Sequence, residues 1–148
     1  MRVVLGADHR GYELKDALAA YLRDKGHDVT DLGTNTAESV DYPDSALAVG
    51  RAIQNGEADR GILVCGSGVG ACIAANKLSG VRAGMTHDTY SAHQGVEHDD
   101  MNVICIGSKI VGEELAREIV DAFLAAKFVP EPRYLRRLEK VKAMEERR

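Results

Sequence analysis

Residues 62–77, ILVCGSGVGACIAANK, set Cys65 at the end of an apolar run and follow it with glycine at every second position. Backbone amides in such a loop, with the start of a helix behind them, create a positive field that favours a thiolate at Cys65. The amides of Gly66, Ser67, Gly68, Val69 and Gly70 can form an anion pocket, and the glycines let a substrate approach the main chain closely. A base beside a pocket for oxyanion charge is what proton abstraction next to a carbonyl requires. Ser67 adds a hydroxyl that can hold an oxygen or relay a proton. The plainer alternative makes Cys65 a core cysteine near a tight turn, which is the role expected of Cys72 on a helix face and Cys105 inside a strand.

A rival reading takes GSGVGA as a dinucleotide fingerprint, with Asp88 about twenty residues on as the ribose-binding acid. The motif follows the third strand, the chain is short for a cofactor domain plus a substrate domain, and a cysteine before the first glycine has no task on a pyrophosphate. No GK[ST] follows, which excludes a P-loop. His98, in GVEHDDMN at a strand-edge loop just before the fifth strand, can act as a general acid–base near neutral pH or be a plain surface residue. His87, His93, Glu97, His98 and Asp99 match no strong metal signature, although His93 and Glu97 share a helical face. No metal site is expected.

These residues need a scaffold, and the chain alternates to provide one. Five apolar runs, VVLGAD (3–8), DVTDLG (28–33), GILVCG (61–66), VRAGMT (81–86) and NVICIG (102–107), are separated by stretches with helical spacing. Leu14, Leu18 and Leu22 mark the first helix, which Gly26 stops. Asp44 or Ser45 can cap a second, whose apolar face includes Leu47, Val49 and Ile53. A third covers 70–78, a fourth follows a cap at Asp88 or Thr89, and Leu115, Ile119, Val120 and Phe123 mark a fifth. Strands alternating with helices imply a doubly wound, five-stranded parallel sheet, a Rossmann-like three-layer sandwich. Such sheets bind ligands beyond the carboxyl ends of their strands. Asp8, His9, Cys65 to Gly70, His87, Asp88, Lys109 and the DYPD loop all belong to that edge.

One domain accounts for residues 1–148, with 127–148 as a C-terminal arm. The formal charge of −4 gives no reason to expect nucleic acid or an anionic membrane as partner. Within it, 127–148 carry eight Lys/Arg against four Asp/Glu, so the tail holds +4 and the rest −8. Pro130 and Pro132 break the preceding helix, and Leu135, Leu138, Val141 and Met144 then line one side of a charged helix. That helix either rests on its own domain or docks on a second subunit and delivers Arg133, Arg136 or Arg137 to its ligand. Neither a signal peptide core nor a transmembrane run is expected, and three cysteines without a CxxC pair fit a reduced, cytoplasmic protein.

GADHRGYELK, SVDYPD, ILVCGSGVGACIAANK and HDDMNVICIG together resemble the ribose-5-phosphate isomerase type B family, which includes the galactose-6-phosphate isomerase subunits. The resemblance runs over nearly the whole chain, including the Arg133/Arg137 pair. It implies a metal-free, cofactor-free aldose–ketose isomerase of phosphorylated sugars in the pentose phosphate pathway, working through a cis-enediolate. Carried over, Cys65 shuttles a proton between C1 and C2, Ser67 assists, and the amides of residues 66–70 hold the enediolate oxygen. His98 opens the furanose ring, Asp8 and His9 contact the substrate, and Arg133 and Arg137 bind its phosphate. The family is a homodimer, in some members paired into tetramers, with each active site drawn from both subunits. Two substrate-binding positions differ from the family pattern: Asp99 replaces the usual asparagine, and Lys109 the usual phosphate-binding arginine. Lysine keeps the charge but loses the bidentate fork. Ribose 5-phosphate and ribulose 5-phosphate are the expected pair. A tetrose or hexose phosphate, or a nucleotide-binding module using GSGVGA, are the alternatives.

Overall fold

In the computed structural model, which describes residues 1–146, alternate residues of the central strands serve two different cores. Val3, Leu5 and Ala7 of β1 (Arg2–Ala7), Ile62 and Val64 of β3 (Arg60–Cys65), and Ile104 and Ile106 of β5 (Val103–Gly107) face one way. Val4, Leu63, Cys65, Val103 and Cys105 face the other. A strand with both faces apolar is what a parallel sheet needs, because helices cover both sides of it. The first core is closed by α1 (Tyr12–Asp24), α4 (Thr89–Asp99) and α5 (Glu113–Ala125), through Leu18, Leu22, Ala92, Val96, Ile119 and Phe123. The second is closed by α2 (Tyr42–Gln54) and α3 (Val69–Ala75), through Ala46, Val49, Ala52, Ala71 and Ala75.

With β2 (Asp28–Asp31) and β4 (Ala83–Met85), the sheet has the order β2-β1-β3-β5-β4 and every pairing is parallel. The chain steps outward from β1 to β2 and then crosses back past β1 to make β3. The crevice beyond β1 and β3 is therefore the switch point at which such sheets bind ligands. Over this point α2 lies very close to the sheet. A Cβ on Gly6 would stand 2.8 Å from one methyl of Val49, and a Cβ on Gly61 would stand 2.7 Å from the other.

The doubly wound sheet matches the expectation, with shifts that have local causes. β4 is shorter than 81–86, because the Arg82 amide donates to the Asn102 side chain rather than entering the ladder. α2 starts at Tyr42 instead of after Asp44 or Ser45; Asp41 is extended and Pro43 supplies a φ suited to the first turn. Leu47 is on its exposed side. α3 stops at Ala75, short of residue 78. Asp88 does cap α4, accepting from the Ser91 amide at 2.6 Å. α4 continues through GVEHD until Asp100 takes a left-handed conformation (φ 51°), so His98 stands in a last helical turn and not in a loop.

The tail forms α6 (Pro132–Glu145), which packs against α4 of the same chain by burying Tyr134 and Leu138. At its far end Glu145 accepts from the Gly80 amide at 3.0 Å. Leu135, Val141 and Met144 remain exposed. Among the described residues no helix is long and apolar enough to cross a membrane.

One charge is wholly enclosed. Lys15 of α1 is 0% exposed, and its Nζ donates to both oxygens of Asp31 and to Asn35 Oδ1, each at 2.7 Å. Asp31 also accepts from the Gly33 amide, so this cluster shapes the turn that leads from β2 toward the crevice. Removing one partner of a buried pair leaves the other uncompensated. Lys15→Met should therefore lower unfolding free energy by about 3 kcal/mol, at the low end for buried pairs because Asp31 is partly exposed. Denaturant unfolding followed by circular dichroism measures this, and a stability equal to wild type would refute it.

Candidate active site

The loops after β1, β2 and β3 wall a cleft of about 650 Å³ at the switch point. Asp8, His9 and Arg10 come from the first loop, Ser39 to Asp44 from the second with the start of α2, and Cys65, Gly66, Ser67 and Gly70 from the third. Cys65 lies nearly buried at the floor, and its Sγ accepts the Gly68 N–H at 3.2 Å. That bond depends on Gly68, whose φ of 83° is readily reached only without a Cβ. Ser67 Oγ accepts from the Val69 amide at 3.3 Å. Two of the five amides expected to face a ligand are thus engaged within the loop, one of them on the sulfur.

The other walls are tied to this floor. A Cβ on Gly70 would stand 2.7 Å from the Tyr42 ring, so only glycine lets that ring lie against the loop. His9 Nδ1 accepts the Val40 amide at 3.2 Å, which joins the first loop to the second and makes Nε2 the protonated nitrogen of the neutral ring. Asp8 Oδ1 accepts the Arg10 and Gly11 amides and so shapes the turn into α1. Behind the glycine loop the end of β5 acts as a buttress. Ser108 N–H donates to Cys65 O at 2.8 Å, Lys109 N–H donates to Gly66 O at 3.1 Å, and Gly107 N–H donates to His87 Nε2 at 2.9 Å.

Four expected site residues lie elsewhere on the chain. His98, Asp99, Arg133 and Arg137 take no part in the cleft wall and lie on α4 and α6, which pack together. His98 stacks on Tyr134 with ring centroids 4.1 Å apart, and the Arg133 guanidinium stands 4.7 Å from the centroid of the same tyrosine. Arg133 also pairs with Glu131 at 3.2 Å. Gln94 Nε2 lies 2.8 Å from His98 Nδ1. His93 turns instead to Glu97 at 3.2 Å, and among the described residues no three His, Cys, Asp or Glu side chains converge as metal ligands would.

Sequence reasoning missed Arg10, Tyr42, Gln94 and Tyr134. Arg10 adjoins Asp8 and His9 at a strand end, and Tyr42 lies inside the DYPD loop, so position alone could have nominated both. Gln94 shows its relation to His98 only once GVEHD is taken as helix, which puts the two one turn apart.

The family model described as Ribose/Galactose Isomerase matches residues 3–141. The chain belongs to the ribose/galactose isomerase family. Ribose-5-phosphate isomerase B of Escherichia coli is 45% identical over 147 residues, covering 99% of this chain and 98% of that protein. D-erythrulose-4-phosphate isomerase of Pectobacterium atrosepticum is 43% identical over 129 residues, 86% of this chain and 85% of that one. The solved structure of Clostridium thermocellum ribose-5-phosphate isomerase B superposes with a TM-score of 0.96 at 44% identity, covering 99% of both chains. The protein is a sugar-phosphate isomerase of the aldose–ketose kind, which removes the nucleotide-binding module from consideration.

The isomerase has a second notable thiol. A hydrogen bond with the Cys105 thiol, helped by the Met85 backbone and the Asn76 amide and opposed by burial, brings Cys72 down to about 7. The same contact and burial push Cys105 well up. Cys72 is half-buried and lies outside the cleft wall. Its alkylation by iodoacetamide, followed by peptide mass mapping, should rise with pH through a midpoint of about 7. A midpoint at the ordinary thiol value of about 8.5 would contradict this.

Proposed function

We propose that this isomerase interconverts ribose 5-phosphate and ribulose 5-phosphate, with Cys65 as the base and without a metal. The observation that carries the proposal is Cys65 Sγ at the floor of the cleft, held by the Gly68 amide beneath walls able to take a sugar. From aldose to ketose, Cys65 removes the C2 proton of the open-chain sugar, and the electron pair moves through a cis-enediolate as the C1 oxygen gains a proton. The C2 hydroxyl proton is released and the thiol returns its proton to C1, so the pair of transfers balances. Ser67 and the remaining loop amides meet the charge on the enediolate oxygen. His9 and Asp8 hold sugar hydroxyls from the facing wall.

The active unit is a homodimer in the cytoplasm. α4 runs from its cap at the carboxyl edge back to the amino edge, where β5 begins, and His98 is in its last turn. Cys65 is paired with Gly107, at the opposite end of β5. Five residues of strand separate these ends by about 13 Å, on top of the lateral offset. His98, which opens the ring, and Arg133 and Arg137, which bind phosphate, serve the cleft of a second copy, while Asp99 and Lys109 make further substrate contacts. Val69, Ile73, Met85 and Ile110 are exposed near the glycine loop and the end of the short edge strand β4, an apolar surface for that copy to cover. α6 stays on its own domain, so the arm reaches the partner without detaching. Three free cysteines suit a reducing compartment.

Two measurements test this reading. In the first, kcat/KM is compared across tetrose, pentose and hexose phosphates, with ribose 5-phosphate expected to lead. Preference for a four-carbon substrate would transfer the assignment to the tetrose reaction. With the preferred sugar, Cys65→Ala should keep the circular dichroism of the wild type and lose about 10²–10⁴-fold or more in turnover, as expected for removal of a general base. Cys72→Ala should be nearly silent. In the second, Cys65→Ala subunits are mixed with Arg133→Ala/Arg137→Ala subunits. A hybrid dimer has one site with both lesions and one with neither, so activity should reappear. No recovery, with subunit exchange verified by mass spectrometry, would confine the arginines to their own subunit's site.

A further inference from the structure

We infer that Gln94 is a positioning residue for His98, keeping its neutral imidazole protonated on Nε2 so that the ring meets the substrate as a hydrogen-bond donor. The inference rests on the reading above, in which His98 acts on the cyclic sugar. Gln94 and His98 are four apart on α4, and their contact at 2.8 Å joins the amide nitrogen to Nδ1. An amide nitrogen only donates, so Nδ1 accepts, and the hydrogen of a neutral imidazole is left on Nε2. Among the described residues no other group is hydrogen-bonded to the His98 ring.

The ring's orientation is held from a second direction. Tyr134 lies nearly parallel to it, at 19° and a centroid distance of 4.1 Å, and Tyr134 is itself 6% exposed. Rotating the imidazole would break either the stack or the amide contact. Glu97, the adjacent carboxylate on the helix, is drawn to His93 at 3.2 Å and does not compete for Nδ1. A held Nε2–H donor suits ring opening, because negative charge builds on the ring oxygen as its bond to the anomeric carbon lengthens. The same arrangement has no part in the proton transfer at Cys65.

The test uses tautomer and choice of sugar together. Long-range proton–nitrogen NMR on histidine-labelled protein, with His98 assigned from a His98→Asn variant, should show the Nε2–H form in the wild type. In Gln94→Glu the new carboxylate accepts from Nδ1–H, and the Nε2–H signature should be lost. Gln94→Leu, of similar size without the donor, should slow ribose 5-phosphate turnover about tenfold, on the scale of one hydrogen bond. Erythrose 4-phosphate, whose 4-hydroxyl is esterified and which therefore starts open, should be turned over at nearly the wild-type rate. A wild-type Nδ1–H tautomer would overturn the inference, and so would equal losses on the two sugars. If the wild type turned over neither sugar, the reading of the site would fail, while the NMR result would still decide whether Gln94 controls His98.

Discussion

A parallel sheet has two ends, and this chain has candidate site residues at both. All five strands run the same way, so every strand delivers its last residue to one edge and every crossover helix returns to the other. Cys65 ends a strand; His98 ends a helix. No rotamer change or loop movement brings such positions together, because the sheet between them is buried on both faces. The cleft, the α4–α6 corner and the exposed apolar surface near β4 are consequences of that single directional constraint. An arrangement in which each copy gives one half-site and receives the other is isologous, so the sites come in pairs.

Much of this was legible in the residues. The period-two split between Leu5, Ile62 and Ile104 on one face and Val4, Leu63 and Val103 on the other follows from strands apolar throughout. The strand order places Cys65 and Asp8 side by side at the switch point, and both follow directly from where their apolar runs stop. What was not legible depended on contacts between distant segments. Tyr42 counts as a site residue because its ring meets Gly70, twenty-eight positions later, a contact no local pattern announces. The start of α2 was misplaced because Pro43 favours a first turn that a search for capping side chains puts three or four residues further on.

The reading of His98 erred for a different reason. GVEHDD has a glycine, two aspartates and no apolar stripe, so it looks like a loop, yet Val96 is fully buried against α5 and holds the helix together. Tertiary packing overrides propensity here. With the helix extended, the histidine changes edge, and the question of how one site is assembled changes with it. The tail shows the same dependence on packing, since pattern left its docking open and burial of Tyr134 and Leu138 keeps it on its own domain.

Val49 sits with one methyl over Gly6 and the other over Gly61, in a space that neither strand could share with a side chain. Seven residues earlier on the same helix is Tyr42, whose ring forms a wall of the cleft. Any atom added beneath Val49 would lift α2 and carry that wall away from the glycine loop. Functional vulnerability therefore extends to inert, buried positions that never meet a substrate. A survey of inactivating mutations in this enzyme would find a second hot region in the floor of the sheet, one that an inventory of reactive side chains would leave out.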